Sequence, residues 1–298
     1  MERSTRLASA PVTWGVWERT TDGDDLIAAG PLLETVAGLG FHGIELGPPG
    51  YLTPAGLAAN GLELVGGFAP LHLADEEAFR RDLDEWLDPI AETLVATGAR
   101  GPVVLADAET PERLVASAKP EEQRRTALRG DALARALARV QEAAERCRAR
   151  GVEAVFHHHT ATHIESPEEI AAFVEGTDVP LCFDTGHCAV GGGDPLELAR
   201  TFASRIGHLH LKDVDGDLLE RVRSGAISVE QAWDGGLFCP MGEGIVDIRG
   251  VLALPELQGF DGWIVLEQDR VAVRASDLEA VREVEAANLR YVQQALGS

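Results

Sequence analysis

Short apolar runs alternate along this chain with longer segments whose apolar residues recur at helical spacing. The short runs predict strands at Leu7–Val12, Gly43–Leu46, Leu62–Phe68, Pro102–Leu105, Val152–His157, Leu181–Asp184, Ile206–Leu211 and Trp263–Glu267. That is about eight strands, the number that closes a parallel α/β barrel. Most are apolar without alternation, as expected of strands covered on both faces. Helices are predicted at Pro31–Leu39, Glu76–Thr97, Glu121–Arg150, Leu196–Ala203, Asp247–Leu254 and Asp277–Leu296. Another runs through Ile170–Val174 behind Ser166-Pro167-Glu168-Glu169, an N-cap, an N1 proline and an acidic first turn. Phrases such as GLGFHGIEL and ATGARGPVVL place a glycine between helix and strand, where a left-handed residue ends the helix. The expected fold is α/β, a (β/α)8 TIM barrel spanning residues 1–298 as one domain. One long excursion, Asp215 to Val246, follows the strand Ile206–Leu211; loops of that length are usually functional or partly helical.

Polar residues gather where these apolar runs stop, the edge at which barrel active sites are built. Asp184 ends one strand in FDTGH, and it could either cap the following turn or ligate a cation. His187 shares that loop and could reach a bound substrate. His208 and His210 alternate onto one face in HLHLKD, with Lys212 continuing it, while Leu209 and Leu211 point the other way. Glu267 ends the last strand, and a carboxylate after an apolar run is seldom buried unless paired or metal-bound. In VEAVFHHH the period of two puts His157 and His159 on one face and His158 on the other. His157 and Asp184, on neighbouring strands, could meet one ion, and His159 suits substrate contact or proton transfer. Glu45 and His72 occupy comparable positions, either in the site or behind it. Trp14 and Trp17 could wall a sugar-like ring, or belong to the core. An Asp, a Glu and several His suit Mn²⁺, Co²⁺, Fe²⁺ or Zn²⁺ better than Ca²⁺, which takes oxygen ligands alone.

Composition narrows the partners. With 49 acidic against 26 basic residues the formal net charge is −23, which argues against a nucleic-acid or anionic-membrane partner. The 45% hydrophobic content fits a soluble globular protein. Cys147, Cys182, Cys188 and Cys239 form no CxxC pair, so reduced thiols and a cytoplasmic location are expected. MERSTRLASAPVTWG has no apolar stretch long enough for a signal peptide, and no 18-residue apolar run occurs.

SAPVTWGVW, ELGPPGYL, FHHHTATHIES, DTGHCAVGGGDP, HLHLKDV and GEGIVDI…GFDGWIVLEQD together resemble the xylose-isomerase-like TIM barrels. This is the sugar phosphate isomerase/epimerase superfamily, which also holds endonuclease IV, and the likeness is greatest to its inosose dehydratase branch. The resemblance implies a divalent metal, Mn²⁺ or Co²⁺ first, with Zn²⁺, Fe²⁺ or Mg²⁺ also open, bound by Asp184, His210 and Glu267. The fourth ligand in most such proteins is a Glu, where this chain has FHHH. That puts His157 at or near the position, with His159 or water as alternatives. It further implies loss of water from a keto-polyol such as 2-keto-myo-inositol through a metal-stabilised enediolate, with His187, His159, Lys212 and Glu45 as the proton carriers. A ketose or sugar phosphate isomerase or epimerase would use the same enediolate, and a 3-keto C-glycoside lyase is a further variant. A DNA-repair activity like that of endonuclease IV conflicts with the acidic balance, and a silent scaffold barrel need not keep metal. Homo-oligomers are common in the superfamily.

Overall fold

The computed structural model describes residues 6–17, 26–271 and 273–297. Residues 1–5 of the N-terminal segment read above for a signal peptide lie outside them. Nine parallel strand segments form one sheet: β1 (Leu7–Ser9), β2 (Gly43–Ile44), β3 (Glu63–Leu64), β4 (Gly67–Leu71), β5 (Val103–Asp107), β6 (Ala154–His157), β7 (Leu181–Asp184), β8 (Ile206–Leu211) and β11 (Ile264–Leu266). Two further strands, β9 (Asp213–Val214) and β10 (Phe238–Cys239), pair antiparallel outside it. The order β3-β2-β1-β11-β8-β7-β6-β5-β4 begins and ends with consecutive segments. Their junction is hydrogen-bonded both ways: Leu46 N donates to Gly66 O, and Gly67 N to Pro102 O. The predicted strand Leu62–Phe68 is therefore one bent strand that closes an eight-stranded TIM barrel.

Alternation along each strand sorts the core. Leu209, Leu211, Val103 and Leu105 face the helices in the large apolar cluster. Two small clusters are separate from it, Ala8, Ala10, Val65, Trp263 and Val265, and Val104, Val155 and Cys182. They fill the barrel interior beneath a polar upper layer that includes Glu45, His208 and His210, all 5% exposed or less.

The helices depart from prediction in instructive ways. Gly40 and Gly98 end their helices at φ 95° and 66°, as their sequence context indicated. Glu76–Thr97 is helical but widens into a π-turn at Leu83–Leu87, because Pro89 cannot supply an N–H and crowds the carbonyl of Glu85. Glu121–Arg150, expected as one helix, is two, Pro120–Thr126 and Gly130–Arg148, since extended backbone at Ala127 and Arg129 separates them. Short helices at Pro54–Asn60, Pro111–Ala116 and Thr185–Val190 escaped a periodicity argument that needs longer windows. The excursion after β8 is partly helical, at Gly216–Arg223 and Val229–Asp234. Among the described residues no helix is long and apolar enough to cross a membrane.

Asp213 organises that excursion. Its buried carboxylate accepts from the backbone N–H groups of Val214, Gly242, Gly244 and Val246 at 2.8 to 3.1 Å. The loop after β6 is anchored as tightly. The fully buried Arg113 donates to Thr162 O at 2.5 Å and to Glu169 Oε2 at 2.8 Å, and Asp107 accepts from His163 N and faces its Nδ1, both at 2.8 Å. Behind this loop Glu165 is fully buried, with Oε1 accepting from Ser117 Oγ at 2.5 Å and Oε2 without a hydrogen bond. Burial, against the pull of Ser117 and Arg113, lifts its carboxyl to about 7.

Two stability predictions follow from these anchors. Asp213→Ala should lower the unfolding free energy by about 4 kcal/mol, because four donors lose a charged acceptor in the interior. Asp215→Ala, which removes only a helix N-cap, should cost about 1 kcal/mol, both read by denaturant unfolding. For Glu165 the folded state keeps a proton that the unfolded chain sheds near pH 4.5. Its contribution is intact below that pH and is lost as pH rises through about 7. Glu165→Gln should therefore exceed the wild type by roughly 3 kcal/mol at pH 8, with the two converging at pH 4.

Candidate metal centre

The motifs DTGH and HLKD interlock at the ends of β7 and β8. Asp184 caps the following turn and leaves its second oxygen toward the neighbouring strand ends. Its Oδ1 accepts from His187 N at 2.8 Å, capping Thr185–Val190, while Oδ2 is buried without a hydrogen bond. Thr185 Oγ1 donates to Lys212 O at 2.7 Å and accepts from Lys212 N at 2.9 Å, tying the two strand ends together. Gly186 leaves room for Lys212, whose Cβ would lie 2.5 Å from any Cβ placed there. His187 Nε2 then meets Lys212 Nζ at 3.0 Å.

One donor atom each from His157, Asp184, His210 and Glu267 falls within 4.8 Å of the others. His157 Nε2 lies 3.5 Å from Asp184 Oδ2, and His210 Nδ1 lies 3.8 Å from that oxygen and 3.0 Å from Glu267 Oε2. Donors bound ~2.1 Å from one ion lie ~3–4 Å apart, so the spacing matches a shared cation. Buried atoms without a hydrogen bond, Asp184 Oδ2 and His210 Nδ1, agree with that fit. Burial opposes ionisation of Glu45, but His210 and His208 outweigh it and hold the carboxyl well below the usual range. Glu45 Oε1 therefore accepts from His208 Nε2 at 3.0 Å and His210 Nε2 at 3.1 Å. With its Nε2–H so committed, His210 turns Nδ1 toward two carboxylates, and only a proton or a cation there avoids repulsion. Burial works against charge on His210, yet Cys182, Glu267 and Glu45 prevail and push it well above the ordinary histidine value. A metal would take that proton's place, with Glu45 as the carboxylate that orients the ligand. Two imidazoles with two carboxylates suit a borderline divalent ion.

Two other clusters, His157–Cys182–His210 and Glu45–His208–His210, share His210 with this one. Glu45, His157, His210 and Glu267 line the cavity above, while Asp184, Cys182 and His208 lie beneath its lining. Gly66 matters here too: a Cβ on it would meet Glu45 Oε1 at 2.7 Å.

Lys212 Nζ lies 3.1 Å from Asp184 Oδ2, 2.8 Å from Glu267 Oε2 and 3.1 Å from Asp269 Oδ1. Burial opposes its charge, but Asp184, Asp269 and Glu267 hold it well above the ordinary lysine value. His159 faces Thr160 O through Nδ1 at 2.8 Å, and its ring lies 3.9 Å from that of His187. Burial keeps both imidazoles well below the ordinary value, hence neutral, reinforced by His187 in the case of His159 and by Lys212 in the case of His187. His158 points away, packed on Phe183 with Nε2 accepting from Asp184 N at 3.2 Å; burial lowers it to about 3.

The cavity over this layer has a volume of about 330 Å³, at the small end of ligand pockets. Trp17 and His72 line it, with His72 Nδ1 2.7 Å from Asp82 Oδ2. Trp14 corrects the expectation for its position. It is fully buried outside the cavity lining, its indole N–H donating to Ser9 Oγ at 3.0 Å, because the turn Pro11–Trp14 swings it into the core. Glu45 lines the cavity too, with Oε1 held by His208 and His210. Missed by sequence reasoning were Trp86, Trp233 and Asp269, which also line the cavity. Asp269 had a signal, two residues beyond Glu267 on the same face. Trp233 had none, since only the folded excursion brings it against His159, at 6.2 Å between rings.

The chain was compared with known proteins. A family model described as xylose isomerase-like TIM barrel matches residues 33–288. The rhizopine catabolism protein MocC of Rhizobium meliloti is 32% identical over 276 residues, covering 90% of this chain and 82% of that protein. An inosose dehydratase of Geobacillus kaustophilus is 32% identical over 279 residues, covering 89% and 87%. The crystal structure of an IOLI protein with a bound zinc atom superposes with a TM-score of 0.65 at 16% identity, over 98% of both chains. The closed parallel barrel and the family match across most of its length agree: the chain belongs to the xylose isomerase-like TIM barrel family.

Proposed function

We propose that this protein is a divalent-metal-dependent lyase that dehydrates a cyclic keto-polyol of the 2-keto-myo-inositol type. The observation that carries the reading is the buried layer of His157, Asp184, His210 and Glu267, set against Lys212 and two neutral imidazoles under a small cavity. Relatives named inosose dehydratase at 32% identity supply the substrate class.

His157, Asp184, His210 and Glu267 would hold the ion, which supplies Lewis-acid polarisation of a substrate carbonyl when bound. Glu45 fixes the tautomer of His210 rather than carrying a substrate proton. His159, neutral and with Nδ1 committed to Thr160 O, presents Nε2 as the base for the proton beside the ketone. The electron pair of that C–H bond forms a C=C bond as the β C–O bond breaks. The departing hydroxyl takes a proton from Lys212 and leaves as water, with His187 in contact with that ammonium. Trp17, Trp86 and Trp233 offer apolar faces to the ring, and His72 a polar edge.

Incubating the protein and Mn²⁺ or Co²⁺ with 2-keto-myo-inositol should produce an enone-type absorbance that chelation abolishes. Turnover of free ketoses without reaction on this ketone would instead identify an isomerase or epimerase. Asp184→Asn, His210→Ala and Glu267→Gln should each lose stoichiometric metal and lower kcat/KM by ~10³, since a Lewis acid contributes several kcal/mol. Glu45→Gln should retain the fold yet weaken metal affinity by ~10- to 100-fold, measured by competition with a chromogenic chelator.

A further inference from the structure

A second group of donors lies beside the first: His159, His187 and Asp269, again with one atom each within 4.8 Å of the others. Its histidines are prepared as metal ligands usually are, one ring nitrogen held by an oxygen and the other left to the ion. Both are held by the same residue. Thr160 O faces His159 Nδ1 at 2.8 Å, and Thr160 Oγ1 lies 2.7 Å from His187 Nδ1. That leaves each Nε2 as the ligating atom, and His187 Nε2 lies 3.5 Å from Asp269 Oδ2. The place an ion would take is contested by a side chain. Lys212 Nζ is 3.0 Å from His187 Nε2 and 3.1 Å from Asp269 Oδ1, while its other contacts reach Asp184 and Glu267 of the first group.

We infer that Lys212 is a tethered cation standing where a second divalent ion would sit, and that its removal opens a metal site made of His159, His187 and Asp269. Charge supports the assignment. Asp184, Glu267 and Asp269 bring three negative charges around Lys212 Nζ. One divalent ion at the first group offsets two of them, and the lysine the third. Geometry supports it as well, since two ions sharing such a cluster in two-metal enzymes stand ~3.5–4 Å apart, and a single side chain spans both donor groups here. The protein would thus work with one exchangeable cation and one that chelation cannot remove. The inference rests on the first group binding metal, as proposed above.

Metal content of the purified, Mn²⁺-equilibrated protein tests it. Wild type should hold one ion per chain and Lys212→Ala two, the second giving a spin-coupled Mn²⁺ pair in electron paramagnetic resonance. Adding Asp269→Asn to Lys212→Ala should return the content to one. Lys212→Met, which fills the space without a charge, should also hold one. Two ions in wild type, or only one in Lys212→Ala, would overturn the inference. No ion in wild type would instead remove the metal reading on which it rests. Should Lys212→Ala not fold, Lys212→Ser with and without Asp269→Asn replaces it: two ions in the single variant and one in the double support the assignment, and one ion in the single variant refutes it.

Discussion

Asp184, Glu45 and Glu267 lie at one end of the barrel with exposures of 0%, 5% and 5%, next to Lys212 and His210 at 2% each. Charged groups so far from water are costly unless each is met by an opposite charge at contact distance. Most of the upper layer can be understood as meeting that demand. Glu45 is answered by two imidazoles, Glu267 by His210 and Lys212, and Asp184 by a helix N-terminus on one oxygen and Lys212 on the other. Donors that remain without a hydrogen bond, Asp184 Oδ2 and His210 Nδ1, face the same point. The proposed divalent ion would complete the arrangement there.

The surrounding fold serves this layer by fixing backbone rather than by adding chemistry. Thr185 bonds both to and from the Lys212 backbone, Asp213 gathers four amide groups of the excursion, and Arg113 with Asp107 locks the segment carrying His159. Each device places a polar side chain behind the one that faces the cavity. Small residues do the same by omission: Gly66 lets Glu45 lie against the bent strand, and Gly186 lets Lys212 pass. The apolar interior below, closed by Trp263 and Val265, keeps water from reaching the carboxylates from beneath.

Much of the candidate site could be read from the chain because strands alternate with period two. That rule put His208, His210 and Lys212 on one face and separated His158 from its two neighbours, and the ends of the apolar runs located Asp184 and Glu267. For Trp14, which the sequence left between site and core, the short turn after β1 decides for the core, and helical spacing did not reveal the break that splits Glu121–Arg150 into two helices. Trp86 and Trp233 were invisible as site residues because each reaches the cavity from a helical segment whose own pattern says only which face is apolar.

The order of strand and helix, the barrel number and the residue types at the strand ends are local properties, and the sequence by itself determined them. Which oxygen of Asp184 caps and which faces His157 and His210, the tautomer of His210 imposed by Glu45 from 165 residues away, and the position of Lys212 between two donor groups belong to the closed barrel alone. Hydrophobic periodicity records burial of one side of a strand. Contacts among polar groups from several strands depend on distances across the barrel, and those exist only once β3 and β4 have joined its two ends.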